Sequence, residues 1–154
     1  MLVKSLAAAS VAALSLFVSA AQAAADTAPA GEPQNVLRVT VEGVKSPRGH
    51  IRVDVCPVGD FLKDCRYGGA APATPGVTTV IVKDLPPGTY AAQAYQDGND
   101  NHSVDRNILG LPTEGVGFSN NAPIGFHPPS FGSAAFSYAG GEQAISFKLR
   151  HFAD

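Results

Sequence analysis

The chain has 154 residues, 45% of them apolar and only 16% charged, with a formal net charge of −2. A polyanion binder needs clustered Lys and Arg, whereas Lys45, Arg48, Arg52, Lys63, Arg66, Lys83, Arg106, Lys148 and Arg150 are scattered, which excludes nucleic acid as a partner. The length supports one small core and not two.

Residues 1–23 read as a signal peptide. Lys4 supplies a positive start, Leu6 to Val18 form a short Ala- and Leu-rich stretch, and Ala21-Gln22-Ala23 is an A-x-A cleavage signal, with cleavage expected after Ala23. The apolar run is shorter than the roughly 20 residues that a membrane-spanning helix requires, and no later segment is longer. No Cys follows the cleavage signal to carry a lipid. The mature chain is therefore expected to be periplasmic or secreted, without a transmembrane segment. Losing Lys4 leaves ten basic against thirteen acidic side chains, a net charge of −3.

Residues 24–34 are small, Pro-containing and polar, and read as a flexible leader to a single domain spanning 35–154. From Asn35 the pattern becomes period-2. Leu37, Val39 and Val41 share one face, with Arg38 and Thr40 on the other; after Ser46-Pro47-Arg48-Gly49, Ile51, Val53 and Val55 alternate with Arg52 and Asp54. These two strands are predicted to pair as a hairpin. Cys56 and Cys65 enclose eight residues, and in an oxidising compartment this even-numbered pair is expected to form a disulfide that staples the fold. Thiols nine positions apart lack the close spacing of a redox motif.

Arg66 to Gly76 shows no alternation and is expected to be a connection. The next strand runs from Val77 to about Leu85, and Pro86-Pro87-Gly88 turns the chain into another over Thr89 to Gln96, a second predicted hairpin. In that strand Tyr90, Ala92 and Ala94 oppose Ala91, Gln93 and Tyr95; since each face carries a Tyr, the inward one stays open. Ala134 to Tyr138 and Gln143 to His151 form a last hairpin, with Ile145, Phe147 and Leu149 inward. Short strands with turn signals and little helix predict an all-β fold: an antiparallel sandwich, immunoglobulin- or prealbumin-like, of six to eight strands with one long irregular loop.

That loop is Gly98 to Ser133, thirty-six residues without a predicted strand. Connections beyond about 12 to 15 residues in compact domains are usually functional or disordered. Ile108, Leu109, Leu111, Val116, Phe118, Ile124, Phe126 and Phe131 are too apolar for a solvated linker, so the loop is expected to fold onto the sandwich, with Asn99, Asn101, Asn107, Asn120 and Asn121 satisfying its backbone.

Its first part resembles a calcium loop. Asp97, Asn99, Asn101, Ser103 and Asp105 fall at alternate positions, a spacing that can wrap oxygens around one hard cation. Ile108 stands where a helix-loop-helix site places its bidentate Glu, and Glu114 completes the set only if the loop doubles back. Any Ca2+ site is therefore expected to be weak, about 10⁻⁴ to 10⁻³ M. The competing expectation is an Asx-rich turn whose side chains bond neighbouring backbone.

Asp84-Leu85-Pro86-Pro87-Gly88-Thr89-Tyr90-Ala91, then Asp97-Gly98-Asn99-Asp100-Asn101, Leu109-Gly110-Leu111-Pro112, Glu114-Gly115 and Gly117-Phe118-Ser119-Asn120-Asn121 form an ordered motif series. It resembles the bacterial domain of unknown function 2141 family, from about Val36 to Phe152. The resemblance implies a secreted or periplasmic prealbumin-like β domain with no assigned activity, and it supplies no catalytic residue.

His50, His102, His127 and His151 lack zinc spacing, and no Gly-x-Ser-x-Gly elbow is present. The chain is therefore read as a non-enzymatic binding or cell-envelope accessory domain. Phe118, Asn120, Asn121, Phe126 and His127 form its candidate ligand surface, where aromatics beside amides suit a peptide, a saccharide or an envelope protein. The alternative is a small periplasmic hydrolase using His, Asp and Glu residues of the 98–133 loop.

Overall fold

In a computed structural model of the protein, residues 35–152 are described. The predicted signal peptide and leader lie outside them. The described chain forms β1 (Val36–Val44), β2 (His50–Cys56), β3 (Tyr67–Pro72), β4 (Gly76–Lys83), β5 (Gly88–Asp97) and β6 (Val116–Phe118). A 3-10 turn at Ser119–Asn121, helix α1 (Phe131–Ala134), β7 (Ala135–Tyr138) and β8 (Glu142–Lys148) follow.

The strands make the expected sandwich. One sheet has the order β4-β1-β8, and the other runs β3-β2-β5-β6 with β7 also paired to β5. Leu37, Val39, Val41, Val80, Val82 and Phe147 meet Ile51, Val53, Val55, Tyr90, Ala92 and Ala94 in one buried core. Burial of each such aliphatic side chain contributes roughly 1.5 to 3 kcal/mol. Tyr90 belongs inside because its hydroxyl donates to Pro86 O at 2.9 Å, so the ring is buried with its polar atom satisfied.

None of the three predicted hairpins forms. β1 pairs with β4 and β8, whereas β2 pairs with β3 and β5. Likewise β4 and β5 lie in different sheets, and β7 pairs with β5 while β8 runs parallel to β1. Each of these turns carries the chain across the sandwich. Alternation marks which side chains point inward, but two inward faces look the same whether their strands lie side by side or oppose each other across a core. The β1–β8 pair also makes the first sheet mixed, not purely antiparallel.

Two further strands occur where none was expected. β3 is built from Tyr-Gly-Gly-Ala-Ala-Pro, whose small side chains erase the alternation signal although its backbone pairs fully with β2. Its glycines permit a close approach, since a Cβ on Gly69 would lie 2.6 Å from Ile81 O. β6 lies inside the long loop and has only three residues, all buried, so no period can show.

The loop folds back only in part. Phe118 and Ala122 join Ala91 and Ala134 in a second cluster, with Phe61, Ile124 and Phe131 packed against it. Ile108, Leu109 and Phe126 remain in solvent.

Candidate functional site

The outer face of the five-stranded sheet positions the site. Pairing Arg52 with Tyr95 and Asp54 with Gln93 puts the polar faces of β2 and β5 side by side. β6 extends that face, placing Val116 opposite Tyr95 and Phe118 opposite Gln93. The inward face left open by the sequence is thus settled: Tyr90, Ala92 and Ala94 enter the core, and Gln93 and Tyr95 point outward.

A cleft of about 330 Å³ lies over this face. Gln93, Tyr95 and Phe118 line it from the sheet, while Arg106, Leu111, Ile124, Phe126 and His127 come from the long loop. The loop segment is well braced. Asn107 Oδ1 accepts from Leu109 N at 2.9 Å and from Leu111 N at 3.1 Å, and Arg106 Nη1 donates to Gly110 O at 2.9 Å. This turn leaves Ile108 and Leu109 exposed to solvent between the lining residues Arg106 and Gly110. Phe126, itself a lining residue, is 102% exposed.

Electrostatics divide the face in two. Burial pushes the Asp54 carboxyl up, partly offset by the hydrogen bond from Gln93 Nε2 at 3.2 Å. Burial, with the nearby charges of Asp54 and Asp97, also pushes the Tyr95 phenol up, keeping it a neutral donor. Asp97 is fully buried; desolvation alone would raise its carboxyl, but Arg52 and the N–H groups of His102 and Asn101 hold it below the usual range.

The Asp97 to Asp105 residues come together as a loop braced by N–H donors. Asp97 Oδ1 accepts from Asn101 N and Oδ2 from His102 N, each at 3.0 Å. Asp105 accepts from Asn99 Nδ2 and Asn101 Nδ2, both at 2.8 Å, and Asn101 Oδ1 accepts from Ser103 N at 2.9 Å. The loop does double back to Glu114, whose carboxylate accepts from Gly98 N at 2.9 Å and Asp105 N at 3.1 Å. Asp97, matched by Arg52, does not fit a cation. Asp105 with Asn99 and Asn101 fits one only if both amides rotate to present oxygen. Among the described residues no group of three His, Cys, Asp or Glu side chains is placed to hold a metal.

The other expected site residues separate. Phe118 is buried at the inner end of the cleft. Asn120 Nδ2 donates to Ala135 O at 2.8 Å and Asn121 Oδ1 accepts from Lys148 N at 2.8 Å, so both amides hold the loop to the strands. Phe126 and His127 line the cleft. The sequence did not single out Gln93, Tyr95 or Arg106 as site residues. Alternation had already put Gln93 and Tyr95 on one face, but only the register of β5 against β6 brings the loop over them.

Cys56 and Cys65 are joined, with Cα atoms 5.2 Å apart. Their loop carries Phe61, packed edge-on against Phe118 and Phe131 at ring separations of 5.9 and 5.8 Å, and Leu62, which lines the cleft. Among the described residues no helix is long and apolar enough to cross a membrane.

Comparison with curated proteins and with solved structures found no match. A family model described as an uncharacterized protein conserved in bacteria (DUF2141) matches residues 39–146, a span that takes in β2 to β7 entire and with them every residue lining the cleft. The chain therefore belongs to this bacterial family.

Proposed function

We propose that the protein is an exported, non-enzymatic binding domain of the cell envelope, and that the cleft over the outer face of the five-stranded sheet is its recognition surface. The observation that carries this is the pairing of a concave, mostly apolar site with fully exposed apolar side chains, Phe126 in its lining and Ile108 in the turn between the lining residues Arg106 and Gly110. Ile108 and Phe126 bury nothing in the isolated chain, although the Ile108 turn is held by its own hydrogen bonds. Exposed apolar groups on a braced scaffold favour contact with a ligand.

Support for a non-catalytic role comes from the polar groups of the loop. Ser119 Oγ is buried and donates to Ala134 O at 2.5 Å, His102 Nε2 faces Arg52, and both Glu114 oxygens accept backbone N–H groups. Calcium enters this proposal as a weak accessory ion at Asp105, Asn99 and Asn101, in the range of about 10⁻⁴ to 10⁻³ M. It competes with the loop's own N–H donors.

Chemical-shift mapping tests the cleft. A panel of apolar peptides and cell-wall oligosaccharides is titrated into labelled protein, and perturbations are expected at Tyr95, Arg106, Phe126 and His127. Binding that perturbs only residues remote from these positions would remove the basis of the proposal.

A further inference from the structure

Granted that the cleft is the recognition surface, its unpartnered polar groups define the class of ligand. No Asp or Glu lines it, whereas Arg106 and His127 both do. Arg106 uses Nη1 on Gly110 O and makes no ion pair among the described residues. A guanidinium offers five N–H donors in a planar fork, so most remain for an incoming carboxylate. Tyr95 Oη and the His127 ring make no hydrogen bond among the described residues. Both can serve a ligand.

The walls supply the other half. Leu62, Leu111, Ile124 and Phe126 are apolar, and the turn between the lining residues Arg106 and Gly110 exposes Ile108 and Leu109. A saccharide is rimmed with hydroxyls that each need a partner, and these aliphatic walls offer none. An apolar segment with one anionic end matches walls and charge together. The Tyr95 hydroxyl adds a donor suited to a peptide carbonyl, for which an alkyl chain has no counterpart. At about 330 Å³ the cleft lies near the lower limit of ligand sites, roughly 300 to 1,000 Å³, and takes a short segment only.

We infer that the cleft recognises the free carboxyl terminus of an apolar peptide, with Arg106 holding the carboxylate and Leu111, Ile124 and Phe126 gripping the terminal side chains. The ligand is then the exposed end of another envelope polypeptide.

The test uses fluorescence anisotropy on the disulfide-bonded protein with labelled pentapeptides whose last two residues run through every pair of Ala, Val, Leu, Ile and Phe. Each is made as the free acid and as the amide, with dodecanoate as competitor. The best acids are expected to bind at least about tenfold tighter than their amides, a gain of about 1.4 kcal/mol. Arg106→Gln should bring acid affinity down to that of the amide without weakening the amide, and Arg106→Lys should restore part of the preference. Equal affinity for acid and amide overturns the carboxylate assignment and leaves the cleft as a binding surface. Binding of dodecanoate with no peptide bound does the same. Failure of every probe, with Tyr95 and Phe126 resonances unmoved by the peptide and saccharide panels, overturns both.

Discussion

Arg52 Nε lies 2.5 Å from Asp97 Oδ2, and this contact fastens the long loop to the middle of the sheet. Asp97 is the last residue of β5, fully buried, and it also accepts the N–H groups of Asn101 and His102. One carboxylate thus ends the strand, neutralises a largely buried guanidinium and shapes the turn that follows. Asp97→Ala leaves Arg52 with only its longer contact to the half-exposed Asp100, at 3.8 Å, and two N–H donors without their acceptor, and should destabilise the fold by about 3 kcal/mol in urea denaturation. A loss below about 1 kcal/mol would mean that the pair is not a fastening.

The same carboxylate sets an acid limit. Burial pushes the Asp97 carboxyl up, but Arg52 and the two backbone donors outweigh it and hold the group below the usual range. The folded chain therefore takes up this proton less readily than the unfolded one. The resulting stability is present above the unfolded value of about 3.9 and is lost as pH falls through the lower folded value. Stability measured from pH 7 to pH 2 should fall more steeply for the wild type than for Asp97→Asn, which lacks this titration. Parallel curves would refute the assignment.

Asp54 predicts the opposite sign. Burial raises its carboxyl, only partly offset by Gln93, so its favourable contribution is complete below about pH 3.9 and is lost as pH rises through the folded value. Asp54→Asn keeps an acceptor for Gln93 and removes the buried charge. It should stabilise the protein at pH 7 by about 0.5 to 1 kcal/mol, with the gain shrinking towards pH 4. Thermal melts at both pH values decide it; a gain that is equal at the two would implicate packing instead of charge.

The inward positions of β1, β2 and β8 and the Cys56–Cys65 link were legible in the sequence because alternation and cysteine count report burial and covalent economy directly. Strand partners were not. Ser46 to Gly49 and Pro86 to Gly88 look the same whether they close a hairpin or cross between sheets. Gly49 shows what decides the first case: its φ is +65°, and a Cβ there would overlap the carbonyl of Asp97, so the turn is packed against the end of β5. The cleft was half legible. Phe126 and His127 could be named as aromatics in a long loop, but nothing in the sequence marks Arg106, which joins Gln93, Tyr95 and Phe118 in the cleft only through the tertiary fold of the Asn107 turn.

Removing the disulfide should loosen the cleft as well as the fold. Cys56 ends β2, and the loop it closes sets Phe61 on the second cluster and Leu62 at the cleft. The double substitution Cys56→Ala and Cys65→Ala should cost about 2 to 3 kcal/mol, a value expected from loop closure in the unfolded chain. Hydrogen exchange should quicken first at Phe61 and Phe118. Uniform quickening across both sheets would show that the link stabilises the fold without shaping the site.

Phe118 and Phe126 separate support from recognition. Both line the cleft, yet Phe118 is buried against Phe61 whereas Phe126 is fully exposed. Phe118→Ala should destabilise by about 3 to 5 kcal/mol through lost burial and the cavity left behind. Phe126→Ala, and Ile108→Ser with Leu109→Ser, remove side chains that contact little, so their stability should stay within about 0.5 kcal/mol of the wild type. If recognition works through these exposed side chains, these silent variants are the ones that lose affinity for apolar peptides. A variant of this set that unfolds the protein would show that Phe126 or Ile108 is packed in solution and not free to meet a ligand.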